Sequence, residues 1–333
     1  MRHVLVDSRR RRAACAALVL GAVALLGAGG ADSARLTVCS SGCRYTTIPA
    51  ALAAASNGDT IAVGPGTYSG EFTITASVRV VGAGPEATRI VGDGRLGPAV
   101  VTIARGATVA LSGVTLTGGE NGFSGGGITN LGNIALSRST LDDNGASEGG
   151  GIYNADGATA AIARSTISHN VAGSFGENPC CGQGGAIYNE GTLHVVKTAV
   201  LENVSGGDSG NAGGIWNGGS ATMTLSDSRV AGNTTDGFFG ASGGGITNGG
   251  AMGLRRTVVS DNTAHAADGF AAGGGIYNFG TLTLMKSPVT GNAASGAELY
   301  GSSGGGIYNH SLGALTLFKS PVTGNTPDNC IGC

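Results

Sequence analysis

Gly273-Gly274-Gly275-Ile276-Tyr277-Asn278-Phe279-Gly280-Thr281-Leu282-Thr283-Leu284-Met285-Lys286-Ser287-Pro288-Val289-Thr290-Gly291-Asn292 is the stretch that decides the fold. It carries three short segments in a row: Gly-Gly-Gly-Ile-Tyr-Asn, an alternating Leu-Thr-Leu strand, and Ser/Thr-x-Val-x-x-Asn. The first segment stands seven times, at Gly125–Asn130, Gly149–Asn154, Gly184–Asn189, Ala212–Asn217, Gly243–Asn248, Gly273–Asn278 and Gly304–Asn309. The third ends seven times, at Asn144, Asn170, Asn203, Asn233, Asn262, Asn292 and Asn325. The unit is 24 residues from Asn130 to Asn154 and 28–35 residues afterwards, a period that belongs to stacked repeats. The added length always falls between the third-segment Asn and the next glycine run. Loops are therefore expected to leave the stack at one corner.

Strand side chains alternate between two faces. That rule predicts three inward columns. One is Ile128, Ile152, Ile187, Ile215, Ile246, Ile276 and Ile307. The second is Leu136, Ile162, Val195, Leu225, Leu254, Leu284 and Leu317, and the third is Leu141, Ile167, Val200, Val230, Val259, Val289 and Val322. No single turn of chain can bury its own column, whereas stacked turns make each a continuous apolar rod. The asparagines are expected to form an amide ladder and to take the left-handed backbone of the corner, with glycines at the opposite corner. A leucine-rich repeat would need Leu-x-x-Leu-x-Leu-x-x-Asn and a longer return segment, and a Gly-Gly-Gly return does not supply one. The prediction is an all-β, single-stranded right-handed parallel β-helix of about ten coils.

Composition agrees. The chain has 333 residues, of which 64 are glycine, 12% are charged and 41% are apolar, with a net charge of −2. That excludes a disordered chain and points to many tight turns. Residues 9–12 are four arginines, followed by the apolar run Ala13 to Leu26 and the small-residue stretch Gly27–Ala31. This reads as a secretory signal peptide over 1–31. Its apolar run is shorter than the roughly 20 residues of a membrane-spanning helix, and nothing after it reads as transmembrane. Cleavage there would leave 14 basic and 20 acidic residues of the original 19 and 21, with lysine only at Lys197, Lys286 and Lys319. Such a surface argues against nucleic acid as a partner. The expected location is secreted or at the cell surface. After export, Cys39, Cys43, Cys180, Cys181, Cys330 and Cys333 are expected in disulfides, with the connectivity across distant cysteines left open. The expected organisation is a cap over 32–58, the β-helix over 59–329 with regular repeats from about 125, and a Cys-x-x-Cys tail over 330–333. Within the cap, Pro49 and the alanines after it predict a short helix over the open end of the stack. Early strands are expected at 59–64, 71–76, 78–82, 88–91, 98–104 and 108–116.

The segment Tyr45-Thr46-Thr47-Ile48-Pro49-Ala50-Ala51-Leu52, with Gly58-Asp59-Thr60-Ile61 and Pro65-Gly66-Thr67-Tyr68, resembles the opening of pectin-lyase-like β-helix proteins. The repeats are similar to those of polymorphic outer membrane proteins, with Gly-Gly-Ala-Ile literal at Gly184–Ile187 and Val, Ile or Leu in place of Phe before x-x-Asn. The resemblance spans about 37–328 and implies the fold; the activity is not implied, because that superfamily holds lyases, hydrolases, esterases and adhesins. The C-terminal barrel of those outer membrane proteins has no counterpart after the last repeat, so self-export is not expected.

Two outward rows carry the candidate chemistry. Between each inner Ile and Asn stand Thr129, Tyr153, Tyr188, Trp216, Thr247, Tyr277 and Tyr308. Tyr153, Tyr188, Trp216, Tyr277 and Tyr308 are the candidate binding residues, since exposed rings can stack on sugars or serve an interface. Before the third-segment Asn stand Asp143, His169, Glu202, Gly232, Asp261, Gly291 and Gly324. Asp143, His169 and Glu202 are candidate acid–base residues on adjacent coils, with Asp142 beside the first. For a lyase the resemblance implies a Ca²⁺–carboxylate site with an arginine, and no arginine is seen in register with this row. Otherwise no metal or cofactor is expected. Val80–Ala87 mimics a dinucleotide loop but returns at once to strand. The threonines Thr224, Thr283 and Thr316 share their row with Ala135, Ala161, His194 and Gly253, too irregular for an ice-binding array. The leading expectation is a non-catalytic β-helix that binds a glycan or surface; a polysaccharide lyase or glycoside hydrolase is the alternative.

Overall fold

The computed structural model describes residues 33–173 and 181–333. The expected signal peptide and Cys180 lie outside them. The described chain winds into a stack of parallel strands arranged in an eleven-stranded, two ten-stranded and a nine-stranded sheet. It is a parallel β-helix, as the repeat predicts, but with four sides where the repeat suggested three. One full coil runs Thr159–Ala163 on the first face, Thr166–Ser168 on the second, Val171–Ala172 on a lateral face and Ile187–Asn189 on the third. The fourth side is built from the segments expected to be loops. Val204–Asn211 and Thr234–Ser242, for example, pair in parallel across the insertion corner. Their glycine-rich sequence hides the strand signal, because small residues pack only over a thin secondary core of Ala241, Ala264, Ala266, Ala271 and Ala294.

All three predicted columns are in register. Ile128 to Ile307 pair layer on layer. So do Leu136 to Leu317 and Leu141 to Val322. Ile134, Ala160, Leu193, Met223, Met252 and Leu282 add a fourth buried column to the first face. Two amide ladders run beside them. In one, Asn130 Nδ2 donates to Asn154 Oδ1 at 2.7 Å and the chain continues through Asn189, Asn217, Asn248 and Asn278 to Asn309. In the other, each asparagine from Asn144 to Asn292 donates from Nδ2 to the next Oδ1 at 2.9 Å. The left-handed backbone falls one residue earlier than expected, on Asp143, His169, Glu202 and Asp261, with φ between 51° and 57°. The asparagine side chain is thereby freed to turn inward. Of each glycine triplet only the first is left-handed, and Ala212 takes that place at φ 58°. The third is small for a different reason: a Cβ on Gly151 would lie 2.7 Å from the Ala186 carbonyl oxygen.

The predicted cap is present as the helix Ile48–Ala54, with Thr47 as N-cap and Pro49 in its first turn. It buries Ile48 and Ala51 against the first coils. The strand Arg35–Val38 precedes it and pairs with Thr60–Val63, so the end of the first sheet belongs to the segment expected to be cap alone. The strand expected over 108–116 is two, Thr108–Ser112 and Thr115–Thr117, broken at a left-handed Gly113. Gly66–Ser69, outside the expected early strands, is a strand. Cys39–Cys43 and Cys330–Cys333 are disulfides. The C-terminal tail is a strand rather than an appendage: Cys330 pairs with Ile307 and Ile331 with Tyr308.

Candidate functional site

The acidic corner gathers a different set from the one expected. His169 Nδ1 lies 2.8 Å from Asp142 Oδ1, and Nε2 lies 3.0 Å from Glu202 Oε2. The partner is Asp142 because it ends the strand Thr140–Asp142 with its side chain outward, and Ser168 Oγ donates to the same Oδ1 at 2.7 Å. Asp143, one residue on, occupies the left-handed corner and is exposed. His169 and Glu202 stand on the same left-handed corner as Asp143, and the His169 ring reaches the strand residue Asp142 of the neighbouring coil rather than Asp143, its counterpart in the repeat. The Asp142 hydrogen bond raises the His169 pKa most, partial burial opposes it, and the Glu202 bond adds to it. His169 is 58% exposed and Glu202 67%. An imidazole whose two nitrogens are both held by carboxylates has no lone pair to offer a substrate without first breaking a contact. Arg229, on the coil after Glu202 but out of register with the acidic row, approaches Asp261 at 3.7 Å, two coils from Glu202. Asp142 and Glu202 sit on opposite sides of the His169 ring. That arrangement does not fit a Ca²⁺ ion, which gathers six to eight oxygens around one point.

The aromatic row on the third face is continuous. Tyr153 stacks on Tyr188 with centroids 5.6 Å apart and planes 14° apart. Tyr188 stacks on Trp216 at 6.1 Å and 4°, and Tyr277 on Tyr308 at 5.3 Å and 2°. Thr247 should interrupt the row, but Phe279 bridges it, tilted 53° to Trp216 and 57° to Tyr277. Phe279 follows the inward Asn278, a turn position outside the strand pattern, and therefore escaped the alternation count. Glu190 accepts hydrogen bonds from the Tyr153 hydroxyl at 2.8 Å and the Tyr188 hydroxyl at 3.4 Å. Burial and this carboxylate push both tyrosine pKa values well up. Because the faces cover one another, the row presents mainly ring edges and hydroxyls. Tyr188 is buried, and Tyr153, Trp216, Tyr277 and Tyr308 are partly exposed.

A third column went unread in the sequence. The residue just before the Ser/Thr of each third segment is Arg138, Arg164, Lys197, Asp227, Arg256, Lys286 and Lys319. All three lysines of the protein stand in it. Counting lysines by number rather than by repeat position concealed the pattern.

No family model and no curated protein sequence matches the chain. Among solved structures it is similar to pectate lyase Pel9A, with 14% identity, a TM-score of 0.46 and coverage of 90% of this chain and 80% of that one. A pectin methylesterase in complex with a hexasaccharide matches at 11% identity and a TM-score of 0.38, covering 90% and 94%. The A-module of the Azotobacter vinelandii mannuronan C-5 epimerase AlgE6 matches at 14% and 0.34, covering 86% and 92%. These are likenesses of fold.

Proposed function

We propose that the chain is an exported β-helix that binds an extended polysaccharide without transforming it. The aromatic row carries this reading. Six rings, Tyr153, Tyr188, Trp216, Phe279, Tyr277 and Tyr308, run unbroken along the stack axis. Aromatic edges with phenolic hydroxyls and the Glu190 carboxylate form an amphipathic track of the kind that packs on sugar C–H groups and meets sugar hydroxyls. Its length along the axis suits an extended chain better than a small molecule. The test is retention of the secreted protein on a panel of neutral and acidic polysaccharides, with release of unsaturated or reducing products followed in parallel. Retention without products, weakened in Trp216→Ala and Tyr277→Ala, is the expected result; retention unchanged in both variants overturns it.

The second reading is a polysaccharide lyase or hydrolase. His169 held between two carboxylates is the observation that favours it. Product formation that disappears in Asp142→Ala or Glu202→Ala while binding persists would put this reading first.

A further inference from the structure

The corner between the first and second faces carries the basic column. Arg138, Arg164, Lys197, Arg256, Lys286 and Lys319 all have φ between 48° and 53°, and all are exposed. A backbone in that region favours glycine or asparagine. The other left-handed corner answers that demand with Gly232, Gly291 and Gly324, and this corner does so with Gly113 one coil before Arg138; from Arg138 onward it holds no glycine. Packing does not call for these side chains either, because the inward contact at this corner is made by the next residue. Ser139, Ser165, Thr198 and Ser228 form a buried ladder in which each backbone N–H donates to the following hydroxyl, as from Thr198 N to Ser228 Oγ at 3.2 Å. From Arg138 to Lys319 the corner is a rigid rail with one charged residue per layer, about 4.8 Å apart, all of them cations except Asp227.

The column is also largely uncompensated. Asp227 is its one acid; it pairs with Arg256, whose Nη2 lies 2.6 Å from Oδ2, and the Arg256 guanidinium holds the Asp227 carboxyl below its ordinary pKa. Among the described residues no carboxylate pairs with Arg138, Arg164, Lys197 or Lys286. Beside this rail lies an open groove of about 560 Å³ lined by Arg164, Thr166, Lys197, Ala199, Asp227 and Arg229. Its floor on the second face is made by the outward Thr166, Ala199 and Arg229, with no aromatic ring.

We propose that this corner is a binding site for a linear acidic glycan, whose carboxylate or sulfate groups recur at about the layer spacing and meet the cations in single file. The site lies across the first face from the aromatic row and does not rest on it. A glycan is favoured over nucleic acid because the groove beside Arg164 and Lys197 has no ring to stack a base, the feature that single-strand binders use; the exposed ring at this corner, Phe318 under Lys319, stands at the other end of the column. Asp227 interrupts the rail and divides a run of three cations, Arg138, Arg164 and Lys197, from those that follow it.

The experiment uses the secreted chain and measures its affinity, as a function of NaCl, for heparin, polygalacturonate, dextran and single-stranded DNA. Binding to heparin or polygalacturonate that weakens steeply with salt is expected, and which of the two binds more tightly distinguishes sulfate from carboxylate. The triple variant Arg138→Gln, Arg164→Gln, Lys197→Gln should lose roughly 3-fold per cation, of order 30-fold together. Asp227→Asn removes the acid and frees Arg256, and should tighten binding by about 3–10-fold. The double variant Arg89→Gln, Arg105→Gln, exposed cations outside the column, should leave affinity unchanged. Circular dichroism shows that each variant is folded, and the gain expected of Asp227→Asn needs no damaged protein to be read. Absence of salt-dependent binding on both acidic glycans, equal loss in the control double variant, no gain in Asp227→Asn, or tighter binding to DNA than to either glycan would each overturn the proposal.

Discussion

Asn203→Ala is the sharpest test of how the stack is held. Asn203 is fully buried. Its Nδ2 donates to Ile167 O at 3.0 Å, Leu201 O at 2.8 Å and Asn233 Oδ1 at 2.9 Å. Its Oδ1 accepts from the backbone N of Asn170 at 3.0 Å and from Asn170 Nδ2 at 2.9 Å. Truncation leaves two carbonyls and one backbone N–H buried without this partner and cuts the ladder on both sides. At about 1–3 kcal/mol for a stranded buried group, partly relieved by relaxation, the cost is about 3–5 kcal/mol. The control is Asn133→Ala, an exposed asparagine whose side chain meets Thr108 Oγ1 at 3.3 Å; its cost should stay within about 0.5 kcal/mol. Urea unfolding reads the difference. Since each coil of a solenoid is stabilised by its neighbours, amide exchange at Ile167 and Val200 should accelerate before distant coils respond. A difference between the two variants below about 1 kcal/mol would refute the view that the ladder, rather than the apolar columns alone, fixes the corner.

Three further outcomes follow from the geometry. The His169 pKa, read by NMR, should lie above its ordinary 6.5 and drop further in Asp142→Asn than in Asp143→Asn; because the folded value is the raised one, the small stability it lends is complete at low pH and is lost as pH rises through that value. Gly151→Ala puts a Cβ 2.7 Å from the Ala186 carbonyl oxygen and should cost about 1–3 kcal/mol, whereas Gly219→Ala meets nothing within 4 Å and should leave the thermal midpoint within a degree or two, about 0.5 kcal/mol at most. The one tryptophan of the chain, Trp216, should shift its fluorescence to longer wavelength in Tyr188→Ala, which uncovers a ring face, and keep its emission in Tyr308→Ala, which lies beyond its stacking partners.

The sequence by itself determined the winding, the three apolar columns and both amide ladders. Each is a residue type repeated at one place in every coil, and a parallel stack turns recurrence in sequence directly into contact in space. Ile152 meets Ile187, and Asn154 meets Asn189, for no reason beyond their common position in the repeat. The tertiary structure alone decided what happens where the recurrence fails or the chain turns. The segment Val204–Asn211 reads as loop and becomes strand because its neighbours in adjacent coils offer a ladder. Phe279 fills the gap over Thr247 from a turn, and the strand residue Asp142, rather than Asp143 at the corner position that His169 shares, meets the His169 ring. The basic column was legible all along as a position in the repeat, but its meaning was not: only the fold shows that the residue before each Ser or Thr stands outward on a corner, in single file with its counterparts on adjacent coils.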